Sequence, residues 1–303
     1  MSDRRNPDQA VRWRRGQSAE VRSLGEILAT LDADDMLEGM PFMREMARFC
    51  GRRFRVHRLA DRVCVEGDRL RRLENVVLLE HLRCDGFSHD GCQRGCLLFW
   101  KTAWLRPVSA SAGESAVDPV VRIVDEQTLA TTRNGRYYCQ STELKAATSR
   151  LFQWDPSFLL RDLLRGEASV LRLALVLWCT ARRKLPRLFG RGPAGPMAKS
   201  PAGELGLKPG ELVEIKSRGE IEATLTAQGK NRGLSFEMEM LKHCGQRHRV
   251  AFPLRKIISE QTGELIHLND TVVLDGSTCE GTCSGNCPRA NYFYWREIWL
   301  RRI

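Results

Sequence analysis

The chain has 303 residues, 42% hydrophobic and 28% charged, a composition ordinary for a globular protein of two or three small domains. Its longest apolar run, Leu173–Cys179, is far shorter than a bilayer crossing requires, so we expect no transmembrane segment. Eleven cysteines without a secretory signal are expected to stay reduced, in a cytoplasmic protein. The net charge of +11 is spread along the chain, so it permits contact with nucleic acid or anionic lipid but specifies neither.

The most informative pattern is an internal repeat. Residues 23–56 align without a gap with residues 217–250, and the matches include a Cys-Gly pair, Cys50-Gly51 and Cys244-Gly245. Beyond this range the offset between the two copies increases by one residue. With that offset, Cys84, Cys92, Trp100 and Trp104 match Cys279, Cys287, Trp295 and Trp299. The repeat therefore predicts two copies of one module.

The repeat and the composition divide the chain into five segments. We expect a disordered basic tail over 1–15, β-rich module one over 16–108, a linker and helical segment over 109–189, a Gly/Pro linker over 190–206, and β-rich module two over 207–303. The predicted fold is α+β, with two related small bent-sheet or β-barrel modules joined by the helical segment.

Module one is predicted to begin with short helical elements and to continue as strands. Gly25–Leu31 reads as a helical turn, and Phe42–Phe49 places apolar residues at helical spacing. Short β-branched runs bounded by charged residues or Gly indicate strands at Arg53–His57, Arg62–Glu66 and Val76–Glu80.

The middle of the chain is predicted to be helical. Asp155-Pro156 combines an N-cap carboxylate with Pro at the first helical position, and the helix is expected to run to about Arg165. A second helix is predicted over Glu167–Lys184, with mostly apolar residues first and basic residues at its end. Such a helix lies either on an anionic membrane surface or, more commonly, between two domains as a buried spine, so peripheral membrane contact is not expected.

Module two shows the strand pattern more clearly. Glu211–Lys216 alternates apolar and charged residues, and Thr271–Leu274 is another β-branched run. Arg255–Glu260 and Glu264–Leu268 flank a turn with Gly263 at the position that needs a positive φ, which predicts a hairpin.

Each module holds four cysteines that are candidate metal ligands. They are Cys50, Cys84, Cys92 and Cys96 in module one, and Cys244, Cys279, Cys283 and Cys287 in module two. Four thiolates suit tetrahedral zinc or an iron–sulfur cluster, although the three-residue gaps lack the preorganisation of a Cys-x2-Cys knuckle.

Other roles for these cysteines stay open. In module one, His89 is able to replace one sulfur. Cys50 and Cys244 end apolar stretches and are also interpretable as small buried residues. The other six candidate cysteines lie in loops and are also interpretable as disulfide partners. Cys64, Cys139 and Cys179 have no counterpart in the repeat and are predicted to pack.

Aromatic residues close each module. They are Phe99, Trp100 and Trp104 in the first copy, and Tyr292, Phe293, Tyr294, Trp295 and Trp299 in the second. Interleaved arginines make the segment typical of a nucleic-acid stacking platform. The four-residue spacing of the tryptophans indicates instead that both lie on one helix face, which closes the core of the module. Phe99 and Tyr294 are then the aromatic residues that can still be exposed.

Four stretches carry a resemblance to a known group of proteins: Phe42–Val56, Cys84–Arg106, Tyr138–Leu144 and Cys287–Trp299. With them the chain resembles a bacterial family of hypothetical two-module proteins that are rich in Cys and Trp and contain an internal repeat. The resemblance implies a bacterial, cytoplasmic protein and transfers no catalytic residue.

The function expected from these patterns is that of a cytoplasmic metal-binding accessory or scaffold protein. Two related modules on a tether suit bivalent binding of a macromolecular partner, most simply a protein. One alternative is an iron–sulfur redox enzyme or electron-transfer protein, and another is a nucleic-acid-binding protein. No catalytic residue is assigned, since no hydrolase triad or phosphate loop is recognisable.

Overall fold

A computed structural model describes residues 12–67, 70–108, 129–151, 157–184 and 192–303. The chain divides into two compact units, of which the first contains Met1–Val170, Ile258–Leu265 and Cys287–Arg289 and the second the remainder. The predicted helix start at Asp155-Pro156 and most of the predicted basic tail lie outside the described residues.

The strands are short and numerous. They are β1 (Ser18–Val21), β2 (Met36–Leu37), β3 (Met40–Pro41), β4 (Arg53–Leu59), β5 (Arg62–Cys64), β6 (Leu70–Arg72), β7 (Val76–Arg83), β8 (Leu97–Lys101), β9 (Leu105–Pro107), β10 (Thr132–Arg133), β11 (Arg136–Tyr137), β12 (Ser149–Arg150), β13 (Leu212–Ile215), β14 (Lys230–Asn231), β15 (Leu234–Ser235), β16 (Arg247–Pro253), β17 (Lys256–Ile258), β18 (Leu265–His267), β19 (Thr271–Thr278), β20 (Tyr292–Arg296) and β21 (Leu300–Arg302).

Most helices are a single turn. The α-helices are α1 (Leu24–Leu28), α2 (Arg44–Ala47), α3 (Gln140–Glu143), α4 (Ser157–Leu164), α5 (Val170–Lys184) and α6 (Arg218–Glu222). In the described ranges, 3-10 helices span Thr102–Trp104, Met238–His243, Thr282–Ser284 and Glu297–Trp299.

Each module is built on a five-stranded antiparallel sheet, and the two sheets have the same strand order. The first runs β8-β7-β4-β1-β9 and the second β20-β19-β16-β13-β21. The register shifts between Val56 and Arg58 in the first sheet and between the repeat-equivalent Val250 and Phe252 in the second. Such a bulge bends a strand, which accounts for the half-barrel curvature. The predicted α+β fold with two related bent-sheet modules is confirmed.

The first helix of each module begins with the same hydrogen bonds. In α1 the backbone N–H of Ser23 donates to Glu26 at 2.9 Å, and in α6 the N–H of Ser217 donates to Glu220 at 3.0 Å. The serine hydroxyl accepts in return from the glutamate N–H in both copies, which completes a capping box. The predicted helical turns are therefore present and start at equivalent residues.

The paired tryptophans form the core of each module but do not share a helix face. Trp100 lies on strand β8, whereas Trp104 ends the following 3-10 helix, and both are fully buried. The indole N–H of Trp104 donates to the Thr30 hydroxyl at 3.0 Å, and that of Trp299 donates to Thr224 at the same distance. The helical interpretation of the spacing is wrong, while the predicted role in the core is confirmed.

The aromatic residues that precede the first tryptophan of each pair are less exposed than a stacking platform requires. Phe99 and Phe293 are buried, and Tyr292 and Tyr294 are only partly exposed. Base stacking needs an accessible aromatic face, so the burial of Phe99 weakens the platform interpretation.

Helices α4 and α5 correspond to the two predicted helices. The chain breaks between them at Gly166, which has a φ of +68°. α5 leaves Leu171, Leu175 and Trp178 between 48% and 72% exposed, so the prediction of a buried spine is wrong. Among the described residues, no helix combines the length and hydrophobicity needed to cross a membrane.

Part of the segment between the modules is packed rather than extended. In the first unit, β12 pairs with β6, and the buried side chain of Gln140 on α3 caps the backbone of β8. Its amide oxygen accepts from Phe99 N at 2.8 Å, and its amide nitrogen donates to Phe99 O at 2.8 Å and to Pro41 O at 3.1 Å. In the second unit, Met197 forms a bridge with Thr226.

Candidate metal centre

The loop between strands β7 and β8 carries most of the predicted ligands of module one. It is closed by a hydrogen bond from Cys84 N to Cys96 O at 2.8 Å. His89 N then donates to Gly86 O at 2.9 Å, and Cys92 N donates to His89 O at 3.0 Å. Gly86 has a φ of +71°, and a Cβ there would lie 2.0 Å from the Cys92 carbonyl oxygen. Glycine is thus needed for the turn that directs His89 inward.

Three side chains converge beneath this loop. The thiol of Cys84 donates to Glu45 Oε1 at 3.0 Å, and His89 Nδ1 lies 3.3 Å from the same oxygen. Glu45 comes from α2, and its side chain and that of His89 are almost completely buried. One donor atom from each of the three residues lies within 4.8 Å of the others, close enough for the three residues to be candidate ligands of a single metal ion.

The tautomer of His89 is set by a backbone carbonyl. His89 Nε2 lies 3.0 Å from Tyr138 O, and because a carbonyl only accepts, Nε2 must carry a proton. While the imidazole carries both protons, Nδ1–H pairs with Glu45 Oε1, and loss of that proton leaves an Nδ1 lone pair that points towards Glu45 and Cys84. Histidine ligands of metals characteristically donate their second ring N–H in this way.

Burial and mutual contact set the charges of the three groups. Burial alone raises the pKa of Glu45, but His89 and the Cys84 thiol outweigh it and hold that pKa at about 2. Burial lowers the pKa of His89 and the Glu45 carboxylate raises it, with a net increase. The pKa of Cys84 is raised by burial and by the neighbouring Glu45 charge. Glu45 is therefore a buried carboxylate, and its Oε2 accepts no hydrogen bond within the described part of the chain.

A small cavity adjoins the three side chains. Its volume is about 30 Å³, and its lining includes Cys84, His89, Cys92, Cys96 and Cys139. Since a water molecule needs about 10–15 Å³ on this measure, the cavity has room for an exogenous ligand of a metal ion.

The structure gathers three of the four predicted cysteines of module one. Cys84, Cys92 and Cys96 line the cavity, but Cys50 is buried outside this lining. The fourth cysteine of the lining is Cys139, which the sequence predicts only to pack.

The equivalent loop of module two uses its residues differently. Glu239, which matches Glu45, accepts hydrogen bonds from the backbone N–H groups of Glu280, at 2.9 Å, and Cys283. Ser284 stands where module one has His89. The carboxylate that faces a thiol and an imidazole in module one thus holds the loop backbone in module two.

The four predicted ligands of module two are not brought together. Cys244 and Cys279 pack against the apolar core of the module. Cys283 Sγ lies 2.9 Å from Cys179 Sγ, and Cys287 Sγ lies 3.3 Å from Cys64 Sγ. Across the described ranges, Glu45, Cys84 and His89 make up the single group of three or more metal-binding side chains.

Sequence reasoning identified Cys84 and His89 but missed Glu45. A signal was present, because Glu45 recurs as Glu239 at the same place between shared apolar residues, Phe42 and Met46 in one copy and Phe236 and Met240 in the other. A charged residue retained in both copies at such a place indicates a buried role.

Comparison with known proteins adds no assignment. No family model matches the chain, and neither a curated protein nor a solved structure is similar to it.

Proposed function

We propose that module one binds one transition-metal ion, preferably zinc, through Glu45, Cys84 and His89, and that the chain acts as a metal-binding accessory or scaffold protein. The observation that carries the proposal is the convergence of three different donor atoms within 4.8 Å of one another. The hydrogen bond from His89 to the Tyr138 carbonyl supports it, since it leaves Nδ1 as the ring nitrogen that binds a metal once it is deprotonated.

The separations of the donor atoms fit zinc. With bond lengths of about 2.3 Å to sulfur and about 2.0 Å to nitrogen and oxygen, tetrahedral zinc separates sulfur from oxygen by about 3.5 Å and nitrogen from oxygen by about 3.3 Å. The Cys84–Glu45 separation is 3.0 Å and the His89–Glu45 separation is 3.3 Å. A movement of the thiol by about half an ångström therefore brings the sulfur–oxygen separation to the value expected for zinc.

A zinc–sulfur bond requires the thiolate of Cys84. Binding therefore displaces the proton that Cys84 shares with Glu45, and the positive charge of the metal compensates both anions. The metal also supplies a further partner for the Glu45 carboxylate, whose burial is compensated mainly by His89 and Cys84.

A second candidate is a site made of sulfur alone. Cys84, Cys92, Cys96 and Cys139 line the same cavity, and four thiolates are the ligand set of iron–sulfur clusters. A volume of about 30 Å³ matches two or three water molecules, so a single ion fits this space better than a cluster of iron and sulfide.

The scaffold part of the proposal rests on α5. Leu171, Leu175 and Trp178 follow each other at spacings of four and three residues, so they share one side of the helix, and all are exposed. An apolar helix face of this kind is typical of insertion into an apolar groove of a protein partner. Co-sedimentation with anionic phospholipid vesicles is expected to show no binding, and binding that Leu175→Glu removes would contradict a protein partner.

The metal proposal is tested by elemental analysis of the purified protein. We expect about one zinc per chain in the wild type and a loss of at least half of that content in His89→Ala and in Cys84→Ser. Cys279→Ser, at the repeat-equivalent position in module two, is the matched control and should retain the wild-type content.

The outcomes separate the two candidate sites. Full zinc content in His89→Ala would refute the mixed-ligand site. A brown protein that contains iron and acid-labile sulfide, with a visible absorption lost in Cys139→Ser, would establish the four-sulfur alternative instead.

A further inference from the structure

A pair of thiols in the first unit is separate from the metal ligands. Cys64 ends β5, and Cys287 lies in the short segment Cys287–Arg289 that belongs to this unit. The two sulfur atoms are 3.3 Å apart, and the Cys287 sulfur also accepts from Cys64 N at 3.2 Å. A disulfide requires a separation of about 2.05 Å, so the sulfurs need to approach by little more than an ångström.

The repeat shows that this contact has an equivalent without a second sulfur. Cys92 matches Cys287, and its sulfur accepts from Ile258 N at 3.3 Å. Ile258 occupies the position that matches Cys64. Both loop cysteines thus accept from an equivalent backbone N–H, but only at Cys287 does the residue that donates carry a thiol.

A buried cation lies beside the pair. Arg289 donates to Cys64 O at 2.7 Å, and its side chain is only 4% exposed. Burial raises the pKa of Cys287, but the Cys64 thiol and the Arg289 charge outweigh burial and lower that pKa overall. The hydrogen bond to Cys287, followed by burial, raises the pKa of Cys64. Cys287 is thus the cysteine that is favoured as thiolate, and Cys64 is the one that is kept as thiol. Such a pair supplies one sulfur that attacks an oxidant and one that then closes the disulfide.

We propose that Cys64 and Cys287 form an oxidisable dithiol that hydrogen peroxide converts into a disulfide. The Cys287 thiolate attacks one peroxide oxygen, the O–O bond breaks, and the departing hydroxide takes up a proton as water, which leaves Cys287 as a sulfenic acid. The Cys64 sulfur then attacks the Cys287 sulfur and the S–O bond breaks. The second water is released, with the Cys64 proton, as the disulfide forms.

The balance requires a small oxidant. Two thiols lose two electrons in total, and one peroxide is reduced to two water molecules. Cys287 is only 2% exposed, so a compact peroxide suits the site better than a bulky disulfide reagent.

The test is disulfide mapping of the full chain. The protein is exposed to hydrogen peroxide, remaining thiols are alkylated, and a non-reduced digest is examined by mass spectrometry. We expect a cross-linked peptide that joins Cys64 to Cys287, two hydrogens lighter than its separate halves, which disappears on reduction with dithiothreitol. Alkylated Cys64 and Cys287 after treatment, or Cys287 bonded to another cysteine, would overturn the proposal.

Variants separate the two steps and the two sites. In Cys64→Ser the reaction should stop at the Cys287 sulfenic acid, which dimedone traps when the treated protein is denatured in its presence, and the wild type should yield little of this adduct. Cys244→Ser is the matched control and should retain the cross-link. Zinc content in Cys64→Ser should equal that of the wild type, so failure of either proposal is visible independently of the other.

Discussion

Glu260 offers the most quantitative test of the electrostatics of the first unit. Its side chain is 1% exposed and bonds to the buried guanidinium of Arg289, and it lies 3.1 Å from Arg94. Burial alone raises the pKa of Glu260, but the two arginines outweigh it and hold that pKa at about 2, against the ordinary 4.5. We predict that Glu260→Gln destabilises the protein strongly at neutral pH and about half as much at about pH 3.

The magnitude follows from linkage. A shift of the carboxyl pKa from 4.5 to about 2 stabilises the folded state by about 3 kcal/mol at neutral pH, at about 1.4 kcal/mol for each tenfold change. Because the folded-state pKa is lowered, this contribution is complete above the unfolded value of 4.5 and is lost as the pH falls towards 2. At about pH 3, about 1.5 kcal/mol should remain.

The assay is urea unfolding of wild type and variant at about pH 7 and about pH 3. Only the difference between the two proteins is informative, since Glu45 titrates in both. Glu66→Gln is the matched control, because Glu66 is the repeat equivalent of Glu260 and also pairs with Arg94, at 3.1 Å, but is 45% exposed. It should change the free energy of unfolding by less than about 1 kcal/mol. An equal destabilisation by Glu260→Gln at both pH values would refute the reasoning.

Two further predictions concern packing. Trp104→Phe and Trp299→Phe each remove an indole hydrogen bond of 3.0 Å and ring volume from a filled core, so each should cost about 2 kcal/mol in urea unfolding. Costs that differ by more than about 1 kcal/mol would show that the two cores are not equivalent. Gly86→Ala should lower both the melting temperature and the zinc content, since its Cβ would meet the Cys92 carbonyl oxygen at 2.0 Å. Gly25→Ala, with no atom within 4 Å of the new Cβ, is the control, and equal zinc loss in both would contradict this explanation.

The sheets were predictable because their signal is local. The β-branched runs at Arg53–His57 and Val76–Glu80 lie within β4 and β7, and the hairpin around Gly263 is present with a φ of +67°. The spacing of Trp100 and Trp104 wrongly predicted a shared helix face. Two core positions are also four residues apart when a strand is followed by a 3-10 helix. Periodicity alone does not distinguish these cases.

The candidate site was only partly predictable because its parts are distant in sequence. Cys84 and His89 share one loop, but Glu45 is 39 residues from Cys84 and Tyr138 is 49 residues from His89. The contribution of Tyr138 is a backbone carbonyl, which every residue has, so no residue type marks it. Pairing of Cys64 with Cys287, across 223 residues, was likewise invisible to spacing.

The carbonyl of Tyr138 has a consequence for protein engineering. It lies outside the repeated residues, in the segment 129–151 that packs within the first unit. Transplanting residues 16–108 into another scaffold would carry the carboxylate, thiol and imidazole but leave behind the group that orients the imidazole. The smallest portable version of this centre therefore includes residues 129–151, and gene duplication of the module alone would copy its ligands without copying the acceptor that orients the imidazole.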